Sequence, residues 1–139
     1  MRIGIDIDGV LTDIEQWQLD YGSKYFSIYK KELINNERYE IHDIFNVNQK
    51  MDDEFWKKYL YEYAVNEPAR KFASEVIRKL QENDNEIYII TARYLTDKNN
   101  EEGTRMRSIV IEWLKKQNIV YDRIIFSPGD KLDICLKNN

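Results

Sequence analysis

Cysteine, proline and glycine are all scarce in this 139-residue chain, at one, two and five copies. The single cysteine, Cys135, excludes an intrachain disulfide and fits a reducing compartment, and it reads as a small buried hydrophobe. No apolar run approaches the ~20 residues that span a bilayer. The N-terminus runs into an alternating segment without a charged leader and apolar signal core, so the expected location is cytoplasmic, away from membranes. A basic stripe is also missing. Lys and Arg number 21 against 25 Asp and Glu, a net charge of -4, and the Lys115-Lys116 pair is too short to offset the repulsion of a nucleic-acid duplex. An anionic ligand therefore needs local neutralisation.

Against these absences stand 42% apolar and 33% charged residues, the proportions of a soluble globular protein. The length suits one domain, or one domain with a sizeable insertion, and can bury roughly two thirds of its unfolded surface.

Residues 2 to 7 alternate, with Ile3, Ile5 and Ile7 on one parity and Gly4 and Asp6 on the other. This predicts a strand entering a turn at Gly9, with Asp6 and Asp8 leaving on one side. From Ile14 to Ile28 the positions Ile14, Trp17, Tyr21, Tyr25 and Ile28 recur at three and four residues and predict an amphipathic helix. A second helix is expected over 52 to 65, its first turn charged by Asp52, Asp53 and Glu54. The span from Asn35 to Lys50 reads as polar and irregular. Pro68 suits the first turn of a third helix that stops at Asn83-Asp84-Asn85. A strand follows over 87 to 91, and Asn99 to Glu102 reads as a solvated loop and helix start. Next come a helix at 102 to 117, a strand at 123 to 127 and a last helix from near Asp130. Strands alternating with helices imply an α/β fold with a parallel sheet. The stretch 14-66 breaks the alternation and reads as a helical cap, with 1-13 and 67-139 forming the α/β core.

Ligands of an open parallel sheet bind beyond the carboxyl ends of its strands, and three such ends carry polar residues suited to phosphate. At the first, Asp6 and Asp8 are hard oxygen donors close enough to need a cation or proton between them, which suits Mg²⁺. One carboxylate can attack phosphorus while the other protonates the leaving group and later activates water. At the second, Thr91-Ala92-Arg93 offers a hydroxyl and a backbone amide. At the third, Ser127-Pro128-Gly129-Asp130-Lys131 places a lysine at a helix start.

Asp6-Ile7-Asp8-Gly9-Val10-Leu11-Thr12-Asp13 after an N-terminal strand resembles the first motif of the haloacid dehalogenase superfamily, and Thr91 and Lys131 match its second and third. Within that superfamily, Ile89-Ile90-Thr91-Ala92-Arg93, an aromatic cap and Ser127 to Lys131 resemble the bacterial proteins similar to 5'(3')-deoxyribonucleotidases. The resemblance implies a Rossmann-like core and a Mg²⁺-dependent phosphomonoester hydrolase, a nucleotidase acting on nucleoside monophosphates through an aspartyl-phosphate. Asp6 would be the nucleophile and Asp8 the general acid and base. Thr91, Ala92 and Lys131 would hold the phosphate, and Gly9 would allow the turn that brings backbone amides to it. The metal would sit on the Asp6 carboxylate and the Asp8 carbonyl, with Asp13 supporting the site from behind.

The superfamily's fourth motif, an acidic cluster after a fourth strand, has no counterpart before Asn139, and Asp130 and Asp133 lie on the wrong side of the last helix to replace it. The sheet is thus expected to be incomplete at the C-terminus, with strand one open to a homodimer or strand exchange. A truncated form of a longer protein, or a phosphate-binding or interaction protein without turnover, remains an alternative, as does a phosphatase for sugar or polynucleotide phosphates. Arg93 could contact phosphate or pair with acids of the cap. Trp17 and Tyr21, with Tyr25, Phe26, Phe45, Trp56 and Tyr59, could stack on a nucleobase, but aromatics at helical spacing more often form a small core. His42 reads as structural or exposed.

Overall fold

A computed structural model of the chain describes residues 1–127, 129 and 131–137. The expectations that involve Pro128, Asp130, Asn138 and Asn139 fall outside the described residues. Backbone contacts separate two compact units, Met1–Thr12 with Pro68–Asn139, and Asp13–Glu67.

The first unit is α/β. Its three strands, β1 (Arg2–Ile5), β2 (Glu86–Thr91) and β3 (Arg123–Phe126), form a parallel sheet with β2 in the centre. Ile3 lies opposite Ile87 and Ile5 opposite Ile89, while Ile90 faces Ile125 and Thr91 faces Phe126. All of β2 after Glu86 is buried, the pattern of a strand covered on both faces. Among the described residues β1 pairs along one side only, with β2. A Cβ at Gly4 would lie 2.9 Å from Ile90 Cδ1, the end of a side chain that would have to shift.

One core cluster joins Ile7, Leu11, Ile87 and Ile89 to Ile77, Val110, Trp113, Leu114 and Ile119. Two helices supply the covering apolar stripes: Ile77 from Ala73–Glu82, and Val110, Trp113 and Leu114 from Glu101–Lys116. Asn100 caps the longer of these, its side chain accepting from Gly103 N at 2.9 Å.

The second unit holds three helices, α1 (Ile14–Ser27), α2 (Ile41–Phe45) and α3 (Gln49–Asn66). In chain order the remaining helices are α4 (Ala73–Glu82), α5 (Glu101–Lys116) and α6 (Lys131–Lys137). The core of the second unit is aromatic, built on Trp17, Tyr25, Phe26, Phe45, Phe55 and Tyr63 with Ile14, Ile41 and Ile44.

Four sequence expectations need correction. The first strand ends at Ile5, because Asp6 Oδ1 accepts from Ile7 N at 2.8 Å and the chain turns into the segment Ile7–Leu11. The polar span 35 to 50 contains α2, whose Ile41, Ile44 and Phe45 are buried in the aromatic core; a five-residue helix is too short to show a period. Pro68 does not start a helix. Ala69 bridges antiparallel to Thr12, Arg70 N donates to Leu11 O at 2.7 Å, and α4 begins only after Phe72, whose φ of 69° breaks the helical path. Cys135 is exposed, since α6 buries none of its described residues.

Asp52 lies in the first turn of α3, as expected, although the helix starts earlier, at Gln49 behind an Asn48 cap, and the Asp52 side chain is buried. Asp52 Oδ2 receives His42 Nδ1 at 2.7 Å and the His42 backbone N at 3.2 Å, tying α2 to α3. This hydrogen bond raises the His42 pKa above its ordinary value, partly opposed by desolvation, with the charges of Asp52, Asp43 and Glu40 adding to the rise. A folded-state pKa above that of the unfolded chain gives stability that is complete below about pH 6.5 and is lost as the pH rises through the folded value. The urea midpoint of the helical unit should therefore be higher at about pH 6 than at about pH 8.5, and His42→Gln should flatten the difference. Equal slopes in both proteins would refute the linkage.

Candidate active site

Parallel strands in one sheet present their carboxyl ends on one side, and the polar residues of the first unit converge there. Asp6 follows β1 directly, and its backbone is extended, with φ of -81° and ψ of 161°. One of its oxygens is held by Ile7 N, as above, and the other takes an ion pair from Lys131 Nζ, at the first residue of α6. Asp8 lies in the turn that follows. Gly9 has a φ of 81°, a left-handed conformation in which a side chain would be strained, and Thr12 closes the turn on Ile7 O through both its N (3.0 Å) and its Oγ1 (3.2 Å).

Beyond β2 the chain is tightly tied down. Thr91 is fully buried, and its Oγ1 accepts from Arg93 N at 3.3 Å; Ala92 is exposed. Arg93 O accepts from Thr96 Oγ1 at 2.5 Å and from Thr96 N at 3.1 Å. Arg107 on α5 donates to the carbonyls of Thr96 (2.8 Å) and Lys98 (2.9 Å). Gly103 lets α5 come this close, since a Cβ there would lie 1.9 Å from Lys98 O. The Arg93 side chain then crosses to Asp8, with Nη2 2.5 Å from Oδ1 and Nε 3.2 Å from Oδ2. Asp6 and Asp8 are thus each matched by a cation from a distant part of the chain. Gly129 N donates to Ser127 Oγ at 3.2 Å, and Ser127 N to Thr91 O at 2.9 Å, which ties the segment after β3 to the end of β2. A cavity of about 270 Å³ opens beside Asp6 and Lys131, lined also by Gly4, Ile5, Val10, Ile90 and Cys135.

The structure thus brings Asp6 together with Lys131, and Asp8 with Arg93. Asp13, Trp17 and Tyr21 belong to the second unit. Asp13 caps α1, its Oδ1 accepting from Gln16 N at 3.3 Å. Trp17 is buried in the helical unit and stacks on Tyr21 (4.4 Å between centroids) and Trp56 (5.5 Å); Tyr21 is half-buried, and its hydroxyl donates to Glu62 at 3.3 Å.

No family model matches the chain. A nucleotidase from Clostridium acetobutylicum is 34% identical over 126 residues, which cover 89% of this chain and 58% of that protein. A Bacillus subtilis protein provisionally named a nucleotidase is 27% identical over 145 residues, 100% of this chain and 66% of its own length. The crystal structure of a hydrolase from Streptococcus pneumoniae superposes with a TM-score of 0.62 at 12% identity, covering 99% of this chain and 75% of that one, which shows a shared fold. The chain is thus similar to curated nucleotidases over most of its length and shares its fold with a hydrolase.

It spans about half to two thirds of the length of these curated relatives. No described helix is long and apolar enough to cross a membrane. The chain's oxygen donors are compatible with a divalent metal. Asp6 and Asp8 supply hard carboxylate oxygens, and the Asp8 carbonyl a third; these suit a hard divalent cation in kind. A separate group, Glu40, His42 and Asp52, brings three ligand atoms within 4.8 Å in the helical unit, but His42 is already held by Asp52.

Sequence reasoning missed Thr96, Gly103 and Arg107, which hold the loop bearing Arg93. Their signal is absent from local pattern, because each acts through a backbone carbonyl. The Asp8 partner of Arg93 was equally hidden, being 85 residues away along the chain.

Proposed function

We propose that this chain hydrolyses phosphomonoesters, with nucleoside monophosphates as the preferred class, through an aspartyl-phosphate on Asp6 and with Mg²⁺. The observation that carries this reading is the meeting of two acids from one turn with two cations from distant parts of the chain, at the carboxyl ends of the strands. The relatives named nucleotidases supply the substrate class.

In the first half-reaction a carboxylate oxygen of Asp6 forms a bond to phosphorus as the bond to the ester oxygen breaks. The departing oxygen takes a proton from Asp8. In the second half, water attacks the phosphorus of the acyl phosphate and gives a proton to Asp8, releasing inorganic phosphate and regenerating the Asp6 carboxylate. Lys131, now on Asp6, is placed to follow the negative charge onto the phosphoryl oxygens. Turn amides around Gly9 and the exposed Ala92 amide would supply further donors. A bound Mg²⁺, held by the Asp6 carboxylate and the Asp8 carbonyl, would neutralise the phosphoryl group so that an anionic nucleophile can approach it.

Phosphate release from a panel of nucleoside, sugar and polynucleotide-end phosphates, with and without Mg²⁺, tests this. The expected result is Mg²⁺-dependent release, highest for nucleoside monophosphates. Binding of inorganic phosphate without turnover of any ester would replace hydrolysis by phosphate binding alone.

A further inference from the structure

We infer that Arg93 positions Asp8 for proton transfer and does not bind the substrate phosphate. This rests on the proposed hydrolytic reading of the same site. The Arg93 side chain is 2% exposed and that of Asp8 17%. A guanidinium so enclosed offers a substrate little surface, whereas Lys131, at 40%, remains accessible beside the cavity.

Geometry agrees with burial. Nε and Nη2 of Arg93 meet the two different oxygens of Asp8, a two-point contact that fixes both the position and the plane of the carboxylate. A single point charge would fix only the first. Asp8 itself has non-helical backbone angles (φ -74°, ψ 120°) within Ile7–Leu11, next to Gly9 at positive φ.

The arginine is in turn built in from its backbone. Its N donates to Thr91 Oγ1, and its carbonyl accepts from Thr96 twice. Arg107 holds the carbonyls of Thr96 and Lys98 from α5. The chain Arg107, Thr96, Arg93, Asp8 thus runs from a helix to the acid that must deliver a proton to the leaving oxygen. Thr91 belongs to this frame in the structure, its hydroxyl turned to Arg93 N.

Two esters separate positioning from substrate binding. A nucleoside monophosphate expels an alkoxide that needs a proton as it leaves, whereas p-nitrophenyl phosphate expels a stable phenolate that does not. With Mg²⁺ in excess, Arg93→Gln should lower kcat on the nucleoside monophosphate by about 100-fold and on p-nitrophenyl phosphate by less than about 10-fold. KM and the inhibition constant of inorganic phosphate should stay within about 2-fold of the parent chain. Arg93→Lys, which keeps the charge but not the fork, should recover only part of the loss, and it serves as the test if the glutamine variant does not fold. Asp8→Asn combined with Arg93→Gln should be no slower than Asp8→Asn alone.

A rise in KM and in the phosphate inhibition constant at unchanged kcat would make Arg93 a substrate ligand and overturn the inference. Equal losses on both esters would make its role structural and overturn it too. No release by the parent chain from either ester sinks the hydrolytic reading itself, and the inference with it.

Discussion

Asp6→Asn should reduce phosphate release by at least about 10³-fold, the largest effect of any single substitution in this chain. Asparagine keeps the shape of aspartate, and its amide oxygen can still accept from Ile7 N, so the turn after β1 should survive. What it loses is the charge that attacks phosphorus. It also releases Lys131 from its ion pair, so the variant should still bind inorganic phosphate, with affinity equal to or higher than the parent's. Phosphate release, calorimetric phosphate binding and a thermal melt, made on one preparation, decide the matter. A variant that folds and turns over within about 10-fold of the parent would remove Asp6 from the nucleophile's role.

The second large effect concerns the helical unit. Phe55 is fully buried and packs against Trp17, Tyr25, Phe26, Trp56 and Tyr59, with ring centroids 5.1 to 5.8 Å apart. Truncation to alanine removes the ring at the centre of this cluster and leaves a cavity that helices fixed by their neighbours cannot fully close. The expected cost is about 3–5 kcal/mol, much of the stability of a unit this small. Trp17 and Trp56 report on this unit and Trp113 on the other, so urea unfolding followed by fluorescence in a Trp113→Phe background isolates the effect. A loss below about 1 kcal/mol would mean that the aromatics do not form a cooperative core.

That core also bears on substrate recognition. Trp17 and Tyr21 were candidates for stacking on a base, and the structure shows them stacked on each other. Each ring has an aromatic neighbour at packing distance, which satisfies the usual demand of buried aromatics without a ligand. Spacing alone could not separate these uses, because a helix that buries an aromatic stripe and a helix that offers one to a ligand have the same period.

The sequence by itself determined the long elements and pointed to the candidate site. Isoleucines alternating in Arg2–Ile5, the nearly unbroken apolar run of Glu86–Thr91 and the three-to-four spacing of Ile14–Ser27 and Glu101–Lys116 specify strand or helix through local geometry. Asp6, Asp8, Thr91 and Lys131 were legible because strand ends of a parallel sheet are fixed once the strands are. Tertiary structure alone decided which charge meets which. Asp8 and Arg93 are paired across 85 residues, Asp6 and Lys131 across 125, and His42 with Asp52 between neighbouring helices. It also decided the short pieces, α2 and the Thr12–Ala69 bridge, which are too brief to carry a period. The physical reason is the same in each case: periodicity records which face of an element is buried, whereas an ion pair depends on where the folded chain brings two distant side chains together.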